Sequence, residues 1–172
     1  MTIPRLAIPV VCALGLFALA AAAAEQPKTI GTFEAWDALT FDEGGGLVCY
    51  ASSEPVQAEG NYAKRGNVYA LVTHRPASQS RGVVTIMAGY AYKAGGDVTA
   101  AIGGQTFTLF ASGEAAWADD ATDPKLVAAM KAGSEMVVRG VSSRGTKTTD
   151  TYSLAGFSRA YAAIGKACGV AP

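Results

Sequence analysis

The chain has 172 residues, half of them apolar, with 14 basic and 14 acidic side chains and a single histidine. Charged residues make up only 16%, too little charge for a disordered chain, and zero net charge excludes a dedicated nucleic-acid binder. Three cysteines and one histidine leave no four-ligand zinc site once a cysteine departs with a leader, and the length fits one domain.

Residues 1–24 read as a secretory signal peptide. Arg5 supplies the positive start, Leu6 to Ala24 the apolar stretch, and Ala22-Ala23-Ala24 the small residues before Glu25. The stretch sits at the short end for a membrane span, and its alanine-rich end favours cleavage over anchoring. Cys12 follows Val11 inside the apolar run, the wrong place for lipid attachment. Cleavage leaves residues 25–172 as a single domain without a transmembrane segment, in the periplasm or outside the cell. Only Cys49 and Cys168 remain, and an even pair in an exported chain reads as one disulfide. Loop-closure entropy over so long a span is worth roughly 5 kcal/mol. The alternative is two separately buried thiols.

Along the exported part, short strands are broken by Gly, Pro, Asn and Asp. Thr32 to Phe41 is the first candidate strand and carries Trp36; Gly44-Gly45-Gly46 turns the chain into Leu47 to Ser52. Asn67 to His74 follows, closed by Arg75-Pro76. Gly82 to Lys93 reads as one long strand, with Val84, Ile86, Ala88, Tyr90 and Tyr92 on one face. Asp97 to Ile102 and Gln105 to Phe110 flank Gly103-Gly104, a two-residue hairpin connection. Between them and the last strands, Asp123-Pro124 opens a helix through Lys131, with Asp123 suited to the N-cap and Gly133 to the end. Glu135 to Val141 and Thr146 to Ser153 flank Ser143-Arg144-Gly145. A second helix spans about Leu154 to Ala167, with Ser153 as N-cap. Leu154, Phe157, Tyr161, Ile164 and Cys168 form one helical stripe, which turns Cys168 toward the core and a strand carrying Cys49. The fold class is mainly β, an antiparallel sandwich with two short helices and one disulfide.

Candidate chemistry is sparse. His74 as a general base needs a nucleophile and an orienting acid, and no Gly-x-Ser-x-Gly is present. Asp119, Asp120 and Asp123 follow Trp117; hard cations suit such oxygens, yet the spacing is not that of an EF-hand, and turn and cap roles explain them better. Charges alternate in blocks: acids dominate Glu25 to Glu59, bases Asn61 to Gly96, acids Asp97 to Glu135 and bases the remainder. Cross-strand pairing accounts for this most simply, at a few tenths of a kcal/mol for each exposed pair. The functional alternative is a basic hairpin tip from His74 to Arg81, in which Arg75 and Arg81 engage an anionic partner. Trp36 and Trp117 read as core or sheet-end aromatics, with a groove on Trp117 as the binding alternative.

The segments Val48-Cys49-Tyr50, Gly89-Tyr90, Ala116-Trp117, Ala129-Met130-Lys131-Ala132-Gly133 and Met136-Val137-Val138 resemble those of the invasion-associated locus B family of exported bacterial proteins. So do Ser143-Arg144-Gly145-Thr146, Tyr152-Ser153-Leu154-Ala155-Gly156-Phe157 and Cys168. One departure is Gly103-Gly104, where relatives are expected to carry Asp-Gly. The resemblance implies an immunoglobulin-like β-sandwich in the periplasm or beyond. It also implies a link to host-cell entry for founding members, and it brings no catalytic residues.

The reading that results is a non-enzymatic exported binding protein with no cofactor and no metal. Its partner is an unknown protein or an anionic envelope or host component, contacted through Arg75, Arg81 and Trp117. The alternatives are a periplasmic assembly or chaperone-like factor offering a sheet edge, and a small hydrolase using His74.

Overall fold

Antiparallel strand pairing dominates the computed structural model, which describes residues 26–170. The leader predicted at 1–24, with Cys12, lies outside the described residues. The elements in chain order are β1 (Lys28–Phe33), β2 (Trp36–Glu43), β3 (Gly46–Ser53), β4 (Gln57–Gly60), β5 (Tyr69–Arg75), β6 (Ser80–Met87), β7 (Val98–Ile102), β8 (Gln105–Ser112), β9 (Ala115–Trp117), α1 (Asp123–Ala132), β10 (Glu135–Val141), β11 (Lys147–Ser153) and α2 (Phe157–Ala167). The eleven strands run β1-β2-β3-β5-β6-β9-β8-β7-β10-β11-β4. The structure is mainly β, with two helices and one disulfide, as the sequence predicts.

Two layers meet at β8. Gln105 to Leu109 pair with β7, while Phe110 to Ser112 pair with β9. The first layer turns Trp36, Cys49, Ala51, Val72, Val84 and Ile86 inward; the second contributes Val98, Phe107, Leu109, Met136, Val138 and Tyr152, and α2 adds Phe157 and Ile164 to the same core. Strand alternation explains the inward set, since every second side chain faces the core. In β11, Thr148, Asp150 and Tyr152 are buried and Thr149 and Thr151 are not, as the alternation predicts.

Three predicted boundaries are corrected. Thr32 to Phe41 is not one strand: Glu34 and Ala35 form a two-residue turn between β1 and β2, with Phe33 paired to Trp36 and Glu34 left-handed at φ 55°. No Gly, Asn or Pro marks it; burial of Trp36 and the bond from the Ala35 N–H to the Ala155 carbonyl hold it. The long strand from Gly82 stops at Met87, because Gly89 adopts φ 67°. A side chain at Gly89 would place Cβ 2.5 Å from the Gly66 oxygen. Finally, α2 starts at Phe157, and Ser153 closes β11 instead of capping a helix. Gly156 at the helix start is left-handed at φ 89°, with the Phe33 carbonyl packed against its Cα. Strands β4 and β9 carry no sequence signal strong enough to be read, being four and three residues long.

The predicted apolar stripe is real: Leu154, Phe157 and Ile164 are buried, and Tyr161 and Cys168 pack against the core. Phe157 meets Trp36 edge-to-face at 4.8 Å between ring centroids. Cys168 is bonded to Cys49 of β3, with Cα atoms 6.0 Å apart and a sequence separation of 119. Helix α2 therefore lies on the inward face of β1, β2 and β3, beside the second layer.

Candidate functional site

The inward face of the first layer is covered by α2, α1 and the second layer; its opposite face is open among the described residues. Strand register builds that face. Asp37 pairs with Ser52, Ser52 with Leu71, Leu71 with Thr85, Thr85 with Trp117 and Trp117 with Phe110. The result is one row across β2, β3, β5, β6, β9 and β8. A parallel row runs Leu39, Tyr50, Thr73, Val83. Leu39, Phe41, Tyr50, Tyr69 and Leu71 line a groove of about 550 Å³, with Phe41 and Tyr50 edge-to-face at 5.9 Å. Phe110 is 58% exposed and its ring lies 5.7 Å from that of Trp117. Phe41, Tyr50, Tyr69 and Trp117 are half-buried, and aromatic residues gathered on one face are enriched at contact surfaces.

Trp117 and Arg75 thus share this face, and Arg81 does not. Arg75 lies at the groove rim with Asp37 and Glu54, and its Nε donates to Glu43 at 3.0 Å. Arg81 stands in a separate cleft beside α1 and α2, with Lys131 and Tyr161. The two arginines do not form one basic tip, because the β5–β6 connection sends them to opposite sides of the first layer. Sequence reading missed Leu39, Phe41, Tyr50 and Leu71. Their alternation is visible in the chain, but which face a helix covers is not.

His74 sits in β5 opposite Cys49 and is fully buried. Its Nδ1 accepts the Gly82 N–H at 3.0 Å, which puts the ring proton on Nε2. Burial first, then the charges of Arg81 and Lys131, hold its pKa below the ordinary histidine value. The ring packs edge-to-face on Tyr161 at 5.1 Å, and Nε2 meets no hydrogen-bond partner among the described residues. Among the described residues neither ring nitrogen of His74 is hydrogen-bonded to a side-chain acid or nucleophile.

Asp123 is corrected from N-cap to first helical residue; Thr122 holds the cap position. The Asp123 carboxylate accepts the Val84 N–H at 2.9 Å, tying α1 to β6. Burial, followed by repulsion from Asp120 and Asp119, raises its pKa to about 6 against the pull of that hydrogen bond. Asp119 accepts the Thr122 N–H at 2.7 Å and so shapes the turn before the helix. Among the described residues no group of three or more His, Cys, Asp or Glu is arranged to hold a metal ion.

Three ion pairs form among the described residues, and none joins neighbouring strands, so cross-strand pairing does not account for the charge blocks. Arg75–Glu43 and Arg159–Glu34 are exposed. Arg65–Asp150 is buried, with side chains 5% and 3% exposed. Arg65 donates both terminal nitrogens to Asp150 at 2.6 Å and its Nε to the Ala88 carbonyl at 2.7 Å. This fork ties the loop after β4 to both layers.

None of the described helices is long and apolar enough to cross a membrane. Neither a curated protein nor a solved structure matches the chain. Residues 36–165 match the family described as Invasion associated locus B (IalB) protein. That stretch runs from the first residue of β2 into α2 and so takes in most of both layers and both helices; the chain belongs to the invasion associated locus B family.

Proposed function

We propose that this protein is an exported, non-enzymatic interaction module of the invasion associated locus B family, and that it binds a protein partner through the open face of the first layer. One observation carries the reading: Leu39, Phe41, Tyr50, Leu71, Trp117 and Phe110 gather on one face of the first layer, with Phe110 exposed and the others half-buried beside a groove. The Cys49–Cys168 disulfide supports export, in keeping with the leader predicted at 1–24. The rim chemistry selects the partner. Asp37 and Glu54 are acidic, and the one rim cation, Arg75, is already paired with Glu43. An anionic surface is repelled there, whereas an apolar protein face with basic flanks is complementary. The partner belongs to the envelope or to a host cell.

The test is a photo-crosslinking residue at Phe110 in cells, with Thr149 on the second layer as control. One discrete protein adduct is expected at Phe110 and none at Thr149. Phe41→Glu with Leu71→Glu should cut that adduct at least tenfold while circular dichroism stays unchanged. Equal adducts at both positions, or an undiminished adduct in the double variant, would sink the proposal. A second reading, the chaperone-like factor, draws on the free outer edge of β1, which ends the strand order and is largely exposed. It calls instead for many weak adducts at β1.

A further inference from the structure

A second cavity, of about 480 Å³, lies away from the open face, between the loop after β4, the bend after β6 and the β10–β11 turn. Its walls are held in place from below. Arg65 is forked onto Asp150 and lies 4.9 Å from the Tyr90 ring centroid and 5.5 Å from that of Tyr62. The Tyr90 hydroxyl is hydrogen-bonded to Thr148 Oγ1 at 2.6 Å, and the Tyr62 hydroxyl donates to the Ala58 carbonyl at 3.2 Å. The Gly66 N–H donates to the Gly89 carbonyl at 2.9 Å and pins the loop to the bend. These contacts fix the two tyrosines before any ligand arrives.

The lining has a clear charge. It includes Lys64, Arg65 and Arg144 and no carboxylate. Arg65 is neutralised by Asp150, whereas Lys64 and Arg144 are exposed and enter none of the ion pairs among the described residues. Hydroxyl and amide groups complete the rim, from Ser143 and Asn61. Preformed cavities of this size, roughly 300–1,000 Å³, with a few convergent polar groups, are the usual setting for small ligands.

We infer that this cleft binds a small polyhydroxylated anion: a sugar or polyol ring carrying a phosphate or carboxylate. Lys64 and Arg144 meet the anion, the tyrosines flank the ring, and Ser143 and Asn61 meet its hydroxyls. The site is independent of the open face and of the partner proposed for it.

Glucose 6-phosphate, glucuronic acid and neutral glucose would be titrated into the isotopically labelled, disulfide-bonded protein and followed by amide shifts. Either anion should give saturable shifts confined to residues 61–66, 89–91 and 142–148, at least tenfold tighter than glucose. Binding should be lost in Lys64→Glu with Arg144→Glu, and kept in Phe41→Glu with Leu71→Glu. Phosphatidylcholine vesicles with and without phosphatidylinositol separate the sources. Association only with the inositol vesicles, beside binding of the free anions, assigns a lipid headgroup; free anions alone assign a soluble saccharide. The inference is overturned by the absence of saturable binding, by equal binding of glucose, by binding that survives the charge reversal, or by vesicle association without binding of the free anions.

Discussion

Arg65 and Asp150 carry opposite charges in segments of the chain 85 positions apart, and nothing in their local sequence marks them as partners. Once buried they are interdependent, because either charge left alone in the interior is strongly disfavoured. Arg65→Met should therefore destabilise the protein by about 3–5 kcal/mol, read as a fall in urea midpoint. Changing Asp150 to Val in the same chain should recover part of that loss. Asp123 is a milder case. Its carboxyl titrates near 6 in the folded protein against an ordinary value of 3.8, so the folded state holds the proton over that window and the unfolded chain does not. Its contribution to stability is present below the ordinary value and is lost as pH rises through about 6. Asp123→Asn should gain on the wild type in melting temperature across that window, since the amide oxygen still accepts the Val84 N–H. The Tyr152 hydroxyl is buried without a hydrogen-bond partner among the described residues. Tyr152→Phe should leave thermal stability unchanged or raise it, by up to about 1 kcal/mol.

At the scale of elements, the sequence is most legible where turn chemistry and side-chain period agree. The Gly103-Gly104 hairpin and the β10–β11 pair follow their residues closely. Legibility fails where a distant group sets the boundary. The start of α2 is decided by Gly156, whose left-handed backbone faces the Phe33 carbonyl; from sequence alone, the helical stripe simply runs on from Leu154. Gly156→Ala would strain the backbone and drive Cβ into the Phe33 carbonyl oxygen. It should cost about 3 kcal/mol or more in chemical denaturation. Helix α2 is also fixed at its far end by the disulfide. Cys168→Ser should lower stability by about 2–5 kcal/mol, and reductant should lower the wild type by a similar amount without affecting the variant.

On the scale of the whole molecule, function turns on which faces are covered. Helix α2 carries a continuous apolar stripe, so it must be buried somewhere. The Cys49–Cys168 bond and the Trp36–Phe157 contact place it on the inward side of β1, β2 and β3. The reverse side of the first layer is thereby left without a covering element among the described residues, with Phe41 and Tyr50 on β2 and β3 and Trp117 and Phe110 on β9 and β8. The crosslinking experiment at Phe110 tests this consequence directly. The same packing separates Arg75 from Arg81, six positions apart in sequence, and sends only Arg75 to the open face.

By itself the sequence determined the mainly antiparallel class, the two helices, the pairing of Cys49 with Cys168 and the family to which the chain belongs. These rest on local period, turn residues and residue identity, which act over a few positions or need only a count of cysteines. The tertiary structure alone decided where strands stop, which arginines meet acids, which layer face stays open and where a cationic cleft forms. Those features depend on contacts between segments far apart in the chain, and their strength comes from burial, a quantity that exists only after the layers have closed.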